Sequence, residues 1–294
     1  MSNIAQDTPS EAAAPRRPCA IEIDGVSQVF RRGDSETRAL ERVDLTVEAG
    51  EFVSVVGPSG CGKSTLMRIV SGLLKPTSGT VLIDGRLVSG PHTDLGIVFQ
   101  SPVLLDWRTI LGNVMLQVEL RGLTNRDYLE RAKSLLDAVG LGGFADRYPY
   151  ELSGGMQQRA GICGALIHEP PLLLMDEPFG ALDALTREQI RVDIEELWLE
   201  SRKTVIFITH SIDEAVLLSD RVVVMSSRPG KVERVIPIPL PRPRGLEAKR
   251  MPEFTALVDE ITEIFLSRGV LRGGRSALSA VKAQQGGGTG SSLG

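Results

Sequence analysis

The sequence predicts an α/β protein built on a largely parallel β-sheet, and three observations support this fold class. Short continuous apolar runs at 170–178 (PPLLLMDEP), 203–210 (KTVIFITH) and 220–227 (DRVVVMSS) have the composition of strands buried on both faces of a parallel sheet. A further run at 51–57 (EFVSVVG) ends at a glycine-rich loop. The segment that begins at Ser64 has helical apolar spacing, so strand, loop and helix follow one another as in an α/β core with crossover helices.

The composition is that of a globular protein with one large core or two modest ones, because the 294 residues are 42% hydrophobic and 24% charged. The formal net charge is −4 and the pI is about 5.6, so no basic excess indicates a nucleic-acid partner. No apolar run approaches the roughly 20 residues that span a bilayer, and the N-terminus lacks the apolar segment of a secretory signal. We therefore expect the chain to stay in the cytoplasm.

Along the chain, we expect a disordered lead at 1–18, a folded domain at 19–240 and a tail region at 241–294. The lead is rich in Ala, Pro and Ser and has no periodicity. The first part of the domain alternates like short strands separated by turns, and helical spacing from about 103 to 160 predicts a helical subdomain. In the tail region, clustered prolines indicate an extended linker, followed by one amphipathic helix at Glu247–Arg268 and a flexible Gly/Ser end.

The three cysteines, Cys19, Cys61 and Cys163, are scattered without the spacing of metal ligands. We expect reduced thiols and neither a disulfide framework nor a zinc site. Cys61 lies in a glycine-rich loop before a helix, where the helix N-terminus could lower its pKa and make it reactive. A small space-filling role is the favoured interpretation.

Residues 57–65 (GPSGCGKST) contain the pattern G-x-x-x-x-G-K-[ST], which binds phosphate when a strand precedes it and a helix follows, as predicted here. Backbone N–H groups of Ser59–Lys63 would surround a β-phosphate, Lys63 would reach the β and γ oxygens, and the Ser64 hydroxyl would bind Mg²⁺. A chance glycine loop is the plain alternative, which the flanking elements disfavour. The predicted ATP-binding residues of this loop are Gly57, Pro58, Ser59, Gly60, Cys61, Gly62, Lys63, Ser64 and Thr65.

A second set of candidates lies at predicted strand ends. Phosphoryl transfer needs a further metal anchor and a group that orients water, and the pair Asp176 and Glu177 offers both. A solvated loop is the bland alternative, but the apolar residues before the pair indicate a buried strand whose carboxyl end opens on the nucleotide site. Gln100 and His210 end two other apolar runs, and single residues of this kind are more often structural.

The segment 152–162 (LSGGMQQRAGI) sets two adjacent glycines after a serine at a predicted helix start, a second turn that would present backbone N–H groups to an anion. One chain should not need two phosphate-binding turns for one nucleotide. The motifs stand in the order of an ABC-type ATPase cassette: 57–65, Gln100, 152–158, LMDEP, GALD at 180–183, and His210. The chain resembles that family over about residues 19–240, and in the family the signature of one cassette completes the ATP site of its partner.

The resemblance implies an α/β fold of the P-loop NTPase class, with an antiparallel β subdomain and a helical subdomain that carries the signature. It implies ATP and Mg²⁺ as cofactors. Phe30 would stack on adenine where the family commonly has tyrosine, and losing the hydroxyl leaves the stacking face intact. Gln100 would bind ATP and its metal ion, and Asp183 would link the two sites of a dimer.

The implied site residues fall into three groups. The catalytic residues are Glu177, Lys63 and His210, which senses the γ-phosphate. The metal ligands are Ser64, Gln100 and Asp176. The residues that contact the partner's ATP are Ser153, Gly154, Gly155 and Gln157. One departure from the family follows the signature, where Gly164 replaces a common arginine, and we expect it to affect helix packing more than chemistry.

Three classes of ABC protein are open: a transporter motor, a chromosome or DNA-repair ATPase, and a ribosome-acting factor. The chain has neither an inserted coiled coil nor a second cassette, so a separate subunit serving a permease is favoured. The stretches 90–114, 175–189 and 213–232 resemble the importer family for nitrate, sulfonate, taurine and bicarbonate. This resemblance implies a second copy and permease subunits as partners, an indirect solute-binding protein, and a peripheral location on the cytoplasmic membrane face.

Two further regions carry expectations. The apolar stretch 101–107 (SPVLLDW) predicts a permease groove around Gln100–Val118, with Trp107 near that contact. Trp198 is expected in a helix core. For the C-terminal helix, packing on the cassette or a loose attachment is favoured over regulation or dimerisation.

Overall fold

The computed structural model describes residues 17–180 and 182–270. Its strands are β1 (Ile21–Arg32), β2 (Ser35–Val47), β3 (Phe52–Val56), β4 (Ser78–Ile83), β5 (Arg86–Leu87), β6 (Gly96–Val98), β7 (Leu172–Asp176), β8 (Thr204–Ile208), β9 (Arg221–Met225) and β10 (Val232–Pro237). Its α-helices are α1 (Lys63–Val70), α2 (Ile110–Leu120), α3 (Asn125–Ala138), α4 (Gly154–Leu166), α5 (Ala184–Ser201), α6 (Ile212–Leu218) and α7 (Pro252–Ser267). Within these residues, none of the helices is long and apolar enough to cross a bilayer.

The central sheet has the strand order β10-β9-β3-β8-β7-β6 and confirms the predicted parallel core. The strands β9, β3, β8, β7 and β6 are parallel, and β10 adds an antiparallel edge. Every residue of β3, β7 and β8 is buried, which is why these segments read as continuous apolar runs. Since the carboxyl ends of parallel strands share one edge, the loops after β3, β7 and β8 meet there.

A separate antiparallel sheet, with the order β2-β1-β4-β5, forms the predicted antiparallel part of the fold. Its two long strands are joined at a tight turn where Arg32 pairs with Ser35. Phe30 lies near this turn opposite Thr37, and 44% of its surface is exposed. An aromatic face is therefore available at the end of the sheet, beside the loop that follows β3.

The helices α2, α3 and α4 occupy the region in which a helical subdomain is predicted, with bounds that differ from 103–160. Residues 103–109 form a loop, because α2 begins only after Thr109, whose hydroxyl accepts a hydrogen bond of 3.1 Å from the Gly112 N–H. The last of the three helices runs on to Leu166. Trp198 of α5 is 3% exposed and lies in the same apolar core, which confirms its predicted position.

The C-terminal region differs from its prediction. The single helix expected over Glu247–Arg268 is divided into a short 3₁₀ turn at Leu246–Arg250 and the helix α7. Pro252 causes the break, since it has no N–H to continue the helix and holds Met251 in an extended conformation (φ −73°, ψ 133°). The helix packs on α6, β9 and β10 through Phe254, Ile261 and Phe265, so it belongs to the core of the cassette.

The proline-rich segment at 238–244 has no regular secondary structure, bends at Arg242 and Pro243, and is not a free linker. Ile238 and Leu240 are buried, and Arg244 is only 2% exposed. The sequence pattern does not predict this burial, because the prolines between and after Ile238 and Leu240 make the segment look like a linker, although both side chains face the protein interior. The predicted disordered lead and flexible Gly/Ser end lie outside the described residues, except for Arg17 and Pro18.

Candidate active site

The loop between β3 and α1 has the geometry of an anion-binding turn. Gly62 precedes α1 with φ 108°, and no side chain caps the helix N-terminus. A Cβ at Gly62 would lie 2.8 Å from the Ala39 carbonyl oxygen, so only glycine fits this position. The first backbone N–H groups of α1 are therefore presented together with the positive end of the helix dipole.

Lys63 lies beneath this loop and holds it closed. Its side chain is buried, and its ammonium group donates hydrogen bonds to the carbonyl oxygens of Gly57 (2.8 Å) and Pro58 (3.2 Å). Cys61 points away from the loop into the core, where burial raises the pKa of its thiol. This supports the space-filling interpretation of Cys61, since a raised pKa opposes thiolate formation. Cys19 and Cys163 are also buried, and none of the three forms a disulfide.

Glu177 is the centre of a hydrogen-bonded cluster at the carboxyl ends of β6, β7 and β8. One carboxylate oxygen lies 2.6 Å from the His210 Nε2 atom, and the other accepts a hydrogen bond of 2.9 Å from the Gln100 side-chain amide. Glu177 has φ 49°, an uncommon backbone conformation for glutamate, and its N–H donates to the Ile208 carbonyl (2.8 Å). Residues from three strand ends thus fix the position of one carboxylate.

Asp176 has a carboxylate oxygen that is suited to bind a hard cation. It ends β7 and is 7% exposed, and its buried Oδ1 atom has no hydrogen-bond partner within the described structure. A buried carboxylate oxygen without a partner is costly unless a ligand satisfies it. Carboxylate, hydroxyl and amide oxygens, which Asp176, Ser64 and Gln100 can supply, are the ligands that Mg²⁺ prefers. The residues present therefore fit the predicted cation.

A cavity of about 360 Å³ connects the phosphate-binding loop with this cluster. Its lining contains the predicted residues Phe30, Ser59, Gly60, Gly62, Lys63, Ser64, Thr65, Gln100, Glu177 and His210. Gly57 and Pro58 contribute instead the carbonyl groups that bind Lys63. Sequence reasoning missed three lining residues, namely Thr37, Ala39 and Arg228. Arg228 lies in the stretch 213–232 that resembles the importer family, but that resemblance assigned it no role in the site.

The signature residues do not reach this cavity in a single chain. Ser153 caps α4 by accepting a 3.3 Å hydrogen bond from the Met156 N–H, and a Cβ at Gly154 would meet no atom within 4 Å. Gln157 donates hydrogen bonds to the carbonyls of Pro149 (2.9 Å) and Leu152 (3.2 Å). Of the described residues that line the cavity, none belongs to the signature. The helix start at Ser153 is thus a second, open anion-facing turn.

Asp183 caps the start of α5 and is exposed. Its carboxylate accepts a hydrogen bond of 3.0 Å from the Thr186 N–H. Hydrogen bonds from Thr186 lower the pKa of Asp183, so the side chain is held ionised and oriented. The fixed orientation suits a residue that contacts another molecule. Asp183 is not among the described residues that line the cavity.

A groove of about 820 Å³ lies between β6, α2 and α4, in the region predicted around Gln100–Val118. Leu104 and Leu105 form part of its wall. Gly164 lines it as well, and a Cβ there would lie 3.9 Å from the backbone of Asn113 and Val114, so this glycine of α4 faces the neighbouring helix α2. Trp107 lies in the adjoining loop with 75% of its surface exposed.

Another cavity, of about 650 Å³, contains none of the predicted site residues. It lies between α3 and α5, and Arg131, Trp198 and Lys203 are among its lining residues. Burial lowers the pKa of Lys203 to about 8. Arg131 is paired with Glu169 at 2.7 Å, and the charge of Glu169 raises the pKa of Lys203 by less than burial lowers it.

Fold and site together define a P-loop ATPase: a glycine-rich phosphate loop after a buried strand, with a positioned carboxylate across the cavity. Comparison with known proteins narrows this class. The family model described as ABC transporter matches residues 40–180. An uncharacterised ABC transporter ATP-binding protein of Methanocaldococcus jannaschii is 48% identical over 229 residues, which cover 78% of this chain and 86% of the relative.

Two further comparisons agree with this result. A nitrate import ATP-binding protein of Synechocystis sp. is 42% identical over 254 residues, covering 84% of this chain and 96% of the relative. A solved structure of a dimeric ATP-binding cassette in a post-hydrolysis state, bound to ADP and phosphate, has a TM-score of 0.68 at 35% identity and covers 74% of this chain and 98% of the solved chain. The chain belongs to the ABC transporter family of ATP-binding proteins, and the alternative of a nucleic-acid or ribosome ATPase is not favoured.

Proposed function

We propose that the chain is the ATP-hydrolysing subunit of a membrane importer, in which two copies bind ATP head to tail. The observation that carries the proposal is the separation of the two anion-facing turns. The cavity at Lys63 and the open turn at Ser153 do not meet within one chain, so a second copy is needed to bring a signature to each nucleotide. Permease subunits are the further partners, and the complex operates at the cytoplasmic face of the membrane.

At the phosphate loop, the chain provides binding and charge neutralisation. The uncapped N–H groups of α1 surround the β-phosphate, and Lys63 exchanges its two carbonyl partners for phosphate oxygens. Phe30 stacks on adenine. Ser64, Gln100 and Asp176 would hold Mg²⁺, which supplies charge stabilisation on the phosphate oxygens when bound.

Glu177 orients and polarises the attacking water. Its contacts with His210 and Gln100 fix the carboxylate, so the water-binding position is formed before the nucleotide arrives. His210 sits beside it and senses the γ-phosphate. The positive φ of Glu177 supports this assignment, because strained backbone is commonly retained at functional positions.

The signature acts on the partner's nucleotide. Ser153 and the N–H groups of Gly154 and Gly155 face the γ-phosphate, and Gln157 leaves its present carbonyl partners to join them. Asp183, held at the start of α5, connects the two sites. ATP binding therefore closes the dimer, and hydrolysis reopens it.

The groove lined by Leu104 and Leu105 receives a coupling segment of the permease. It is apolar, lies beside Gln100 and borders the helices that carry the signature, so movement at the nucleotide can be passed to the permease. The transported solute is a small anion such as nitrate, sulfonate, taurine or bicarbonate, delivered by an extracytoplasmic binding protein. Uptake of each labelled anion by the reconstituted complex identifies the solute.

The central test separates binding from hydrolysis. Glu177→Gln keeps the size and hydrogen bonding of the side chain but removes the carboxylate, so it should bind ATP, hold the dimer closed and hydrolyse about 10²- to 10⁴-fold more slowly. Lys63→Ala removes a direct phosphate contact and should weaken ATP binding as well as turnover. Equilibrium ATP binding, single-turnover hydrolysis and light scattering measure these three properties.

The exposed variant Arg234→Ala serves as the matched control, since its ion pair with Glu260 lies outside the cavity. It should bind and hydrolyse ATP like the unmodified chain. Near-normal hydrolysis by the Glu177 variant would assign the water-orienting role to His210 instead. Absence of any ATP-dependent association, in solution and in the assembled complex, would contradict the head-to-tail dimer.

A further inference from the structure

The turn between β9 and β10, residues 226–231, lies directly against the phosphate-binding loop. Gly230 donates a hydrogen bond to the Ala39 carbonyl (2.9 Å) and accepts one from the Glu41 N–H (3.0 Å). A Cβ at Gly230 would come within 2.0 Å of the Cys61 carbonyl oxygen, so the two backbones are in close contact. The turn is therefore part of the wall that supports the loop.

The backbone of this turn is held by its own hydrogen bonds. The Ser226 hydroxyl donates to the Pro229 carbonyl (3.1 Å) and accepts from the Lys231 N–H (2.9 Å). The Ser226 N–H also donates to the Lys231 carbonyl (3.0 Å). Arg228, at the tip of the turn, therefore projects from a fixed backbone, and only its side chain has to move to reach a ligand.

Arg228 lines the nucleotide cavity, and its guanidinium group lies against the phosphate-binding loop. Its Nε atom donates a hydrogen bond of 3.0 Å to the Gly60 carbonyl, and its Nη2 atom would lie 3.1 Å from a Cβ at Gly60. It lines the same cavity as Lys63 and Phe30. Among the described residues, no carboxylate forms an ion pair with Arg228, so its charge is available to a bound anion.

We propose that Arg228 is an additional ATP-binding residue, whose guanidinium leaves the Gly60 carbonyl and binds a phosphate oxygen of the nucleotide. This proposal rests on the nucleotide site proposed above. A phosphate oxygen is a stronger acceptor for the guanidinium than a neutral carbonyl, because it carries negative charge and can pair with two N–H groups of the arginine at once. The planar guanidinium also matches phosphate geometry, and its fixed backbone reduces the entropy lost on binding.

The alternative role for Arg228 is to position the phosphate loop through Gly60 without touching the nucleotide. The two roles differ in their response to salt, because a contact between an exposed cation and a phosphate is screened by ions whereas a hydrogen bond to a carbonyl is not. Arg228→Gln keeps a donor for the Gly60 carbonyl and removes the charge. Arg228→Lys keeps the charge and loses the planar donor pair.

The experiment measures ATP affinity by calorimetry at low and high KCl for the full-length chain and its variants. Arg228→Gln should weaken ATP binding about tenfold at low salt and reduce the salt dependence of affinity, and Arg228→Lys should recover part of both. The control Arg234→Gln removes an exposed arginine from the neighbouring strand β10, outside the cavity, and should match the unmodified chain in both properties.

An ATP affinity of Arg228→Gln within twofold of the unmodified chain would overturn the proposal. So would a weaker affinity with unchanged salt dependence, since that result assigns Arg228 to loop positioning. In both cases the unmodified chain and the Arg234 variant still bind ATP, so the nucleotide site stands. Failure of those two proteins to bind ATP would overturn the nucleotide site itself, and the role of Arg228 with it.

Discussion

Replacement of Arg244 by alanine should destabilise the cassette severely, although the residue lies in a segment that the sequence presents as a linker. The guanidinium is buried and donates to backbone carbonyls only. Its Nη1 atom donates to Val216 (2.9 Å) and Ser219 (2.6 Å), and its Nη2 atom to Ile238 (3.0 Å) and Leu240 (2.9 Å). It therefore caps the C-terminal end of α6 and ties the segment after β10 to it.

The size of the effect follows from what alanine leaves behind. The four carbonyl groups named above lose this donor, as does that of Leu217 (3.4 Å), and a cavity replaces a large buried side chain. Each buried acceptor left unsatisfied costs about 1–3 kcal/mol, so several of them together cost about 4 kcal/mol or more, a large share of the roughly 5–15 kcal/mol that stabilises a domain. At about 2–4 °C per kcal/mol for a chain of this size, a loss near 4 kcal/mol lowers the Tm by roughly 8–16 °C.

Urea denaturation followed by tryptophan fluorescence measures this change, because Trp198 is buried in the same region beneath Arg242, whose guanidinium carbon is 4.3 Å from the ring centroid. Arg244→Lys should lie between the alanine variant and the unmodified chain, since an ammonium can satisfy only some of the four carbonyls. Arg234→Ala should change stability by less than about 0.5 kcal/mol. A loss below about 1 kcal/mol for Arg244→Ala would refute the capping argument.

Two further predictions concern the other cavities. Leu104→Glu and Leu105→Glu should uncouple ATPase activity from transport while ATP affinity is retained. The reason is that charges in the apolar groove disturb the permease contact and leave the nucleotide cavity intact. Normal assembly and transport by both variants would show that the permease does not bind in this groove. Lys203→Met should stabilise the chain by about 1 kcal/mol at pH 7, because the buried lysine is charged below its folded pKa of about 8. Since the ordinary pKa is higher, this gain should shrink from pH 8 to pH 10.5, and urea midpoints that do not converge over that range would contradict it.

The sequence was sufficient to predict those parts of the site that depend on local pattern. Lys63 follows a glycine loop between a strand and a helix, and Glu177 ends a continuous apolar run. For Gln100 and His210, a strand end alone favoured a structural role, and their place in the site was predicted from the resemblance to the ABC cassette. The structure supplies the physical reason, because parallel buried strands bring their carboxyl ends, and with them these two residues, to one edge beside Glu177.

The sequence was insufficient where long-range contacts determine a residue's surroundings. Arg228 reaches Gly60 across 168 positions, and no local pattern marks a hairpin tip as part of a nucleotide cavity. In the sequence, Arg244 is a charged residue among prolines, which predicts an exposed side chain. Its burial can be recognised only from the structure, which shows the carbonyl groups at the end of α6 beside it. Pro252 is different, since its effect on the preceding residue is local and the break before α7 could have been predicted.

The hydrogen bonds of the free chain also explain why the proposed cycle is reversible. Lys63 and Gln157, which we propose to bind ATP from opposite copies, are both satisfied by carbonyl groups of their own loops. A nucleotide therefore replaces existing hydrogen bonds, and the net free energy gained at each contact is modest. Because neither copy provides a complete site, closure depends on the sum of contacts to the γ-phosphate. When hydrolysis releases that group, both side chains return to their internal partners, and the dimer can reopen without leaving a buried polar group unsatisfied.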